Sequence, residues 1–304
     1  MQTSIDPPLA KRDPRQRREL AAIVQLLIGA TIISFSPVFV GLANVGPTTA
    51  GFYRTLFGGL SLLIVVGVRG DTLWRGVRPA GLALACGVLF AADLSFWHRS
   101  IHQIGPGLAT IIGNFQIFFL AAYGILISGK KLDWRLLISL PLAIAGLSLL
   151  VGVDWNRLQG GYKLGVLFGV LTALAYAGYL LVLQGAQSRR IRLSATANLV
   201  WISLLTALLL AVGVPLAGES FHIPDGRSWI SLLAYGVVCQ ALGWIVISRA
   251  LPSTQASRAG LILLLQPTLA FVWDVLLFSR PFGATDALGA VLTLAAIYLG
   301  GARS

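Results

Sequence analysis

The chain has 304 residues, of which 56% are hydrophobic and only 11% charged, with a net charge of +12 and a mean hydropathy of +0.81. Soluble domains carry about a quarter charged residues, so this composition points away from a soluble catalytic domain and towards an integral membrane protein. The positive charges fall in short segments between apolar runs, which excludes a basic nucleic-acid-binding patch on a soluble fold.

Residues 1–19, MQTSIDPPLAKRDPRQRRE, read as a Pro-rich basic tail, disordered and drawn to anionic lipid headgroups. Ten apolar spans of roughly 20 residues follow. They cover residues 20–42, 48–69, 79–100, 106–128 and 134–152, then 164–184, 195–217, 228–249, 257–278 and 284–302. The first is too long for a cleavable signal peptide and lacks its small-residue cleavage site. Placing both termini in the cytoplasm puts 17 of the 23 Lys and Arg residues inside and leaves Arg54, Arg99, Arg157, Lys163, Arg227 and Arg280 at outer ends. This is the positive-inside pattern.

Sliding the chain by 150 residues lays the fourth and fifth spans on the ninth and tenth without a gap. Arg99 meets Arg249, Gln116 meets Gln266 and Tyr123 meets Trp273. A slide of 147 sets Asp93 on Gln240 and Trp97 on Trp244, and one of 140 sets Ser36 on Tyr176 and Phe39 on Tyr179. The expected fold is therefore all-α and membrane-integral: ten transmembrane helices as two inverted five-helix repeats around a central cavity. The first repeat covers 20–152 and the second 164–302, joined by a loop at 153–163. Five spans per repeat force the second copy to enter the bilayer from the opposite side. That is the arrangement of many secondary transporters, with the substrate site near mid-membrane.

Polar groups within the spans supply the candidate site residues, since each is costly in hydrocarbon. Asp93 either receives an ammonium group or a proton, or pairs with a cation near the outer surface, or stays protonated in a helix contact. Gln266-Pro267 and Ser34–Phe35–Ser36–Pro37 read as kinks, with Pro37 and Pro267 as hinges, because proline removes one helix hydrogen bond. Gln116, the repeat partner of Gln266, has no proline after it, so the kink is expected in one repeat only. Asn114 and Gln116 lie about 200° apart on a helix, so they do not share a face. Each of Asn114, Gln116, Gln240 and Gln266 can face substrate or bond a neighbouring helix. Trp97, Tyr176, Tyr179 and Trp244 are the aromatic candidates for the cavity. Asp274, nearer its span end, suits solvation or capping better than substrate.

Cys86 and Cys239 lie inside apolar runs, so neither a disulfide framework nor a cysteine metal site is expected. His98 and His102 have i, i+4 spacing but no third ligand in the sequence. No P-loop and no converging nucleophile and base occur, so a carrier rather than an enzyme is expected, with no cofactor and no metal.

Two stretches carry a family resemblance. SRALPSTQASRAGLILLLQPTLAFVWDVLLF followed by GATDALGAVLTLAAIYLGG resembles the second repeat of the EamA-type drug/metabolite transporter superfamily. NFQIFFLAAYGILISGKKLDW resembles the YddG-type aromatic amino-acid exporters, and FYRTLFGGL is similar to the second-span segment in which the family often has an arginine. Many members have Gly-Glu after the fourth and ninth spans, where this chain has Gly129-Lys130 and Ser279-Arg280. The resemblance implies an inner basket of the first, third, fourth, sixth, eighth and ninth helices, with the others outside it. It also implies export of amino acids and related metabolites across a bacterial inner membrane. A monomer with its cavity between the repeats would suffice, with amino-acid substrates and membrane lipids as its partners.

Overall fold

A computed structural model of the chain describes residues 14–73, 77–127, 129, 134–151, 160–187, 194–254, 259 and 262–301. All regular structure among these residues is helical, as hydrocarbon requires of a chain whose backbone groups must bond within each segment. In chain order the first half holds α1 (Pro14–Ser34), α2 (Ser36–Leu42), α3 (Pro47–Arg69), α4 (Val77–Ile104), α5 (Pro106–Gly113), α6 (Gln116–Leu126) and α7 (Trp134–Val151). The second half holds α8 (Gly160–Gln187), α9 (Ala195–Leu216), α10 (Gly226–Leu233), a π-helical stretch (Ala234–Gly243), α11 (Trp244–Ala250), α12 (Leu265–Leu277) and α13 (Ala284–Gly301).

Seven uninterrupted or broken helices among the described residues are long and apolar enough to cross a bilayer, and Trp134–Leu150, Leu265–Leu277 and Ala284–Gly300 are shorter apolar helices. These ten match the ten expected spans. The first helix starts earlier than expected: residues 14–19 continue α1, with Pro14 in the first helical position, where its missing N–H costs nothing. The rest of the basic tail lies outside the described residues, as does the loop expected at 153–163 apart from its last four residues, which begin α8.

The packing partners follow a two-fold pattern. α3 packs on α9, α5 on α12 and α7 on α13, so the second, fourth and fifth spans each meet their own counterparts. The third span packs on the sixth (α4 on α8) as the eighth packs on the first (α11 on α1). Large apolar side chains such as Val68, Leu126 and Leu216 point outward, with 85%, 79% and 82% of their surface exposed. In a bilayer this is the lipid-facing surface.

The spans are irregular at mid-depth. The first breaks at Phe35, whose N–H bonds the Ile32 carbonyl at 3.3 Å. The ninth turns at Leu264, three residues before Pro267. The fourth breaks at Asn114–Phe115 although no proline is present, so the expected asymmetry between the repeats is corrected. At the break the Phe115 N–H turns to the Ile112 carbonyl at 2.9 Å, while Asn114 Nδ2 donates to the Thr110 carbonyl at 2.8 Å beside the Asn114 N–H that it keeps.

Candidate functional site

The three breaks surround a cavity of about 150 Å³. The first half lines it with Ser34, Ser36, Pro37, Arg54, Phe90, Asp93, Trp97, Thr110, Asn114 and Gln116. The second half contributes Thr172, Tyr176, Trp244 and Gln266. Drug-sized ligand sites occupy roughly 300–1,000 Å³, so this volume suits one small metabolite.

Arg54 is the cation of this cavity. It sits seven residues into α3, about 10 Å from the helix start at 1.5 Å per residue, and is 7% exposed. Its Nε donates to Gln240 Oε1 at 2.8 Å and its Nη1 to the Tyr235 hydroxyl at 2.7 Å. Gln240 Nε2 donates in turn to Ser203 Oγ at 3.2 Å. His98 Nε2 lies 3.1 Å from the Tyr235 hydroxyl, and its Nδ1 meets the Leu94 carbonyl. The guanidinium carbon also lies 4.7 Å from the Tyr235 ring centroid, 5.6 Å from that of Phe90 and 5.8 Å from that of Trp97. These ring faces offset part of the cost of holding a cation away from water.

The π-helical stretch makes this arrangement possible. Tyr235 and Gln240 are five residues apart, which in an α-helix places them about 140° apart. A π-helix closes its hydrogen bonds from i to i+5, bringing both side chains to the face that meets α3. Close backbone approach completes the fit. A Cβ on Gly58 would lie 2.4 Å from Gln240 Cγ and 3.0 Å from the Gly236 carbonyl oxygen.

Several polar side chains of the cavity, Gln116, Gln266 and Tyr176 among them, have no hydrogen-bond partner among the described residues. Asp93 is 7% exposed, and its carboxylate makes no hydrogen bond or ion pair with any described residue, Arg54 included. Ser36 Oγ is fully enclosed, with the Cys239 thiol as its polar neighbour. Ser34, by contrast, accepts from Trp273 Nε1 at 2.9 Å, and Trp273 stacks on Phe35 at 4.6 Å between centroids.

Of the nine residues expected at the cavity, Asp93, Trp97, Asn114, Gln116, Tyr176, Trp244 and Gln266 line it. Tyr179 and Gln240 do not. Tyr179 lies behind the wall, stacked on Phe90 at 5.3 Å and on Tyr176 at 5.5 Å. Gln240 is turned towards α3 by the π-helix and spends its amide on Arg54 and Ser203. Pro37 lines the cavity, whereas Pro267 is buried beside it. The i, i+4 pair does not converge: His98 is fully buried in the Arg54 network, while His102 is exposed.

Carboxylates fasten one rim of the bundle across the two halves. Glu219 accepts from the backbone N–H groups of Thr48 and Thr49 at 3.1 and 2.9 Å and from both threonine hydroxyls. It thereby satisfies open donors at the start of α3, where negative charge is favoured. Arg99 Nη2 donates to Thr48 Oγ1 at 3.1 Å. Asp274 plays the capping part expected of it. Its Oδ2 accepts from Gly107 N at 3.0 Å in the first turn of α5, and Arg280 Nη1 lies 3.5 Å away. Gly105 precedes that turn with φ +86°, and a Cβ there would lie 2.9 Å from Asp274 Oδ2, so glycine is required on both counts. Beside these, Asp225 caps α10 through Ser228 N at 2.7 Å and accepts from Asn44 Nδ2 at 3.0 Å. Those hydrogen bonds, the backbone one first, hold its carboxyl below the ordinary value of 3.8.

The main residue missed from sequence was Arg54. It counts among outer-end charges when spans are drawn by hydropathy, yet it is a cavity residue on a helix expected to lie outside the basket. The available signal was its place inside the apolar run FYRTLFGGL. No sequence signal marks Tyr235 and His98 as its supports: the π-helical register that brings Tyr235 beside Gln240 has no local signature, and His98 reaches Tyr235 from α4.

Similarity to known proteins agrees with this architecture. The model of the EamA-like transporter family matches residues 20–152 and 163–300. A protein of Escherichia coli (strain K12) named "Probable amino-acid metabolite efflux pump" is 24% identical over 288 residues, covering 92% of this chain and 93% of the relative. Its namesake in Salmonella typhimurium is equally similar. An "Uncharacterized transporter" of Archaeoglobus fulgidus is 22% identical over 279 residues, 90% of this chain and 94% of the relative. One crystal structure shares the fold with a TM-score of 0.64 at 16% identity, covering 95% of this chain and 99% of its own. With ten apolar helices among the described residues, a packing pattern of two related halves and both halves matched, the chain belongs to the EamA-like transporter family.

Proposed function

We propose that this multi-pass membrane transporter is a secondary carrier that exports amino acids, aromatic and other neutral ones, and related small metabolites by alternating access. The carrying observation is the small cavity between the halves, where one cation, one unpartnered carboxylate, several amides and four aromatic side chains meet. The relatives named as amino-acid metabolite efflux pumps support the same substrate class. The positive-inside pattern supports cytoplasmic termini in a bacterial inner membrane, and a cavity formed within one chain supports a functional monomer. Asp93, Trp97, Asn114, Gln116, Tyr176, Trp244 and Gln266 contact substrate in this reading, Tyr179 and Gln240 act from behind the wall, and Pro37 and Pro267 stand at the flexing points. The unpartnered Asp93 favours one second reading, proton antiport of other metabolites or cationic drugs.

Counterflow into proteoliposomes tests the proposal. Vesicles preloaded with unlabelled amino acid should accumulate labelled phenylalanine, threonine or methionine saturably and with competition. Flux no greater than in empty liposomes for every amino acid would overturn it. An imposed pH gradient that drives uptake of a cationic compound, and not of amino acids, would favour the second reading.

A further inference from the structure

We propose that Arg54 and Asp93 are the two jaws of a split zwitterion clamp. The Arg54 guanidinium takes the carboxylate of an α-amino acid, Asp93 takes its ammonium group, and the Trp97, Tyr176 and Trp244 rings receive its side chain. The inference rests on the amino-acid export reading and assigns atoms to it.

Two opposite charges within one low-dielectric cavity would gain by pairing directly. Here they do not pair. Arg54 is instead anchored from behind, with Nε on Gln240 and Nη1 on Tyr235. No described residue accepts from its Nη2. Arginine presents its donors as a rigid fork matched to a carboxylate, so anchoring one side of the fork aims the other. The anchors come from the second half and the arginine from the first, which ties carboxylate recognition to the contact between the halves. Asp93, on α4, presents an acceptor with no donor of its own. The enclosed Ser36 Oγ, beside the Cys239 thiol, offers one further hydrogen-bonding group at the same cavity.

A zwitterion satisfies both jaws at once. An amine without a carboxylate leaves Arg54 facing nothing, and an acid without an ammonium group does the same to Asp93. Sites built around such pairs reject ligands that leave a buried charge unpaired. The clamp therefore makes Arg54 and Asp93 determinants of specificity, while the aromatic wall tolerates different side chains.

The test uses the purified full-length protein and three ligands of one shape: phenylalanine, phenylethylamine and 3-phenylpropionate. In phenylalanine counterflow, each analogue should compete about 10- to 100-fold less well than unlabelled phenylalanine, the range expected for losing a hydrogen bond to a charged group. Arg54→Gln should erase the advantage of phenylalanine over phenylethylamine, and Asp93→Asn its advantage over 3-phenylpropionate. Because Arg54 is buried and a variant could fail to fold, the wild-type ligand series stands on its own. Tyr235→Phe gives a milder test, in which affinity for phenylalanine should fall while that for phenylethylamine holds. Equal competition by all three ligands on the wild type overturns the clamp while leaving export intact. So does an Arg54→Gln protein that loses phenylalanine and phenylethylamine by the same factor. If the wild type moves no amino acid, the export reading falls, and ligand-dependent thermal stabilisation decides the clamp. Stabilisation by phenylalanine above both analogues upholds it, and no difference among the three overturns it.

Discussion

Replacing Gly58 by alanine strikes the contact that holds the central cation in place. The new methyl would fall 2.4 Å from Gln240 Cγ and 2.7 Å from its Cβ, with the Gly236 carbonyl 3.0 Å away. The Gln240 side chain must move, and with it goes the acceptor for Arg54 Nε. Overpacking costs about 1–3 kcal/mol, loss of a hydrogen bond to a charged group about 1.5–3 kcal/mol, and better helix propensity returns about 1 kcal/mol. The net is a destabilisation of about 2–4 kcal/mol, allowing for overlap between the first two terms. Gly67 on the same helix is the internal control: a Cβ there meets nothing within 4 Å, so Gly67→Ala should be neutral or stabilising by up to about 1 kcal/mol. Thermal unfolding of the two purified variants measures the difference, and counterflow should weaken for Gly58→Ala alone. Equal stability of the two variants, with equal transport, would refute the account of how the π-helical stretch grips α3.

Trp244→Ala should weaken competition by phenylalanine up to about tenfold, the scale of an aromatic contact of 0.5–1.5 kcal/mol, and should change threonine competition less. Glu219→Gln should loosen the fastened rim. In a background lacking Cys86 and Cys239, a cysteine at Thr110 should then react faster with a membrane-impermeant maleimide, and an unchanged rate would show that the rim is held by other contacts. Gly105→Ala, with φ +86° and ψ 160° in a backbone region that is essentially glycine-only and Asp274 Oδ2 2.9 Å from the added Cβ, should cost about 1–3 kcal/mol or more, read as a lower unfolding temperature. Asp225 has a lowered carboxyl pKa in the folded protein, so its contribution is fully present above the ordinary value of 3.8 and is lost as pH falls through the lowered value. Asp225→Ala should therefore be less stable than wild type at neutral pH, with the gap closing in strong acid.

The span count and the shared architecture of the halves were legible because hydropathy and repeat matches act over tens of residues. Seven cavity residues were legible for a simpler reason: polar or aromatic groups such as Asp93, Gln266 and Trp244 have little cause to sit at mid-depth unless something there uses them. What escaped depended on register. The repeat match to Asp93 points Gln240 at the cavity, and five residues of spacing join it to Tyr235 and Arg54 only in a π-helix. The break at Asn114 has no proline to announce it: it is a shift of the Phe115 N–H to the Ile112 carbonyl, which no residue type in the run marks. Arg54 itself was hidden by a charge tally that assigns every arginine to the nearest span end.

The pairing of α3 with α9 is tied near both of its ends. Glu219 binds Thr48 and Thr49 at one rim. At the other, Ser194 Oγ donates to Asp71 Oδ2 at 3.0 Å, and Trp201 Nε1 donates to the Leu73 carbonyl at 2.7 Å. Two rods lashed at top and bottom cannot splay at either end without breaking a tie, so they serve as an axle rather than a door. Arg54 rides on that axle, and under the proposed alternating access the broken first, fourth and ninth spans are the parts that would swing around it. A solute passing through would then meet a stationary charge while the walls on either side exchange which one stands open.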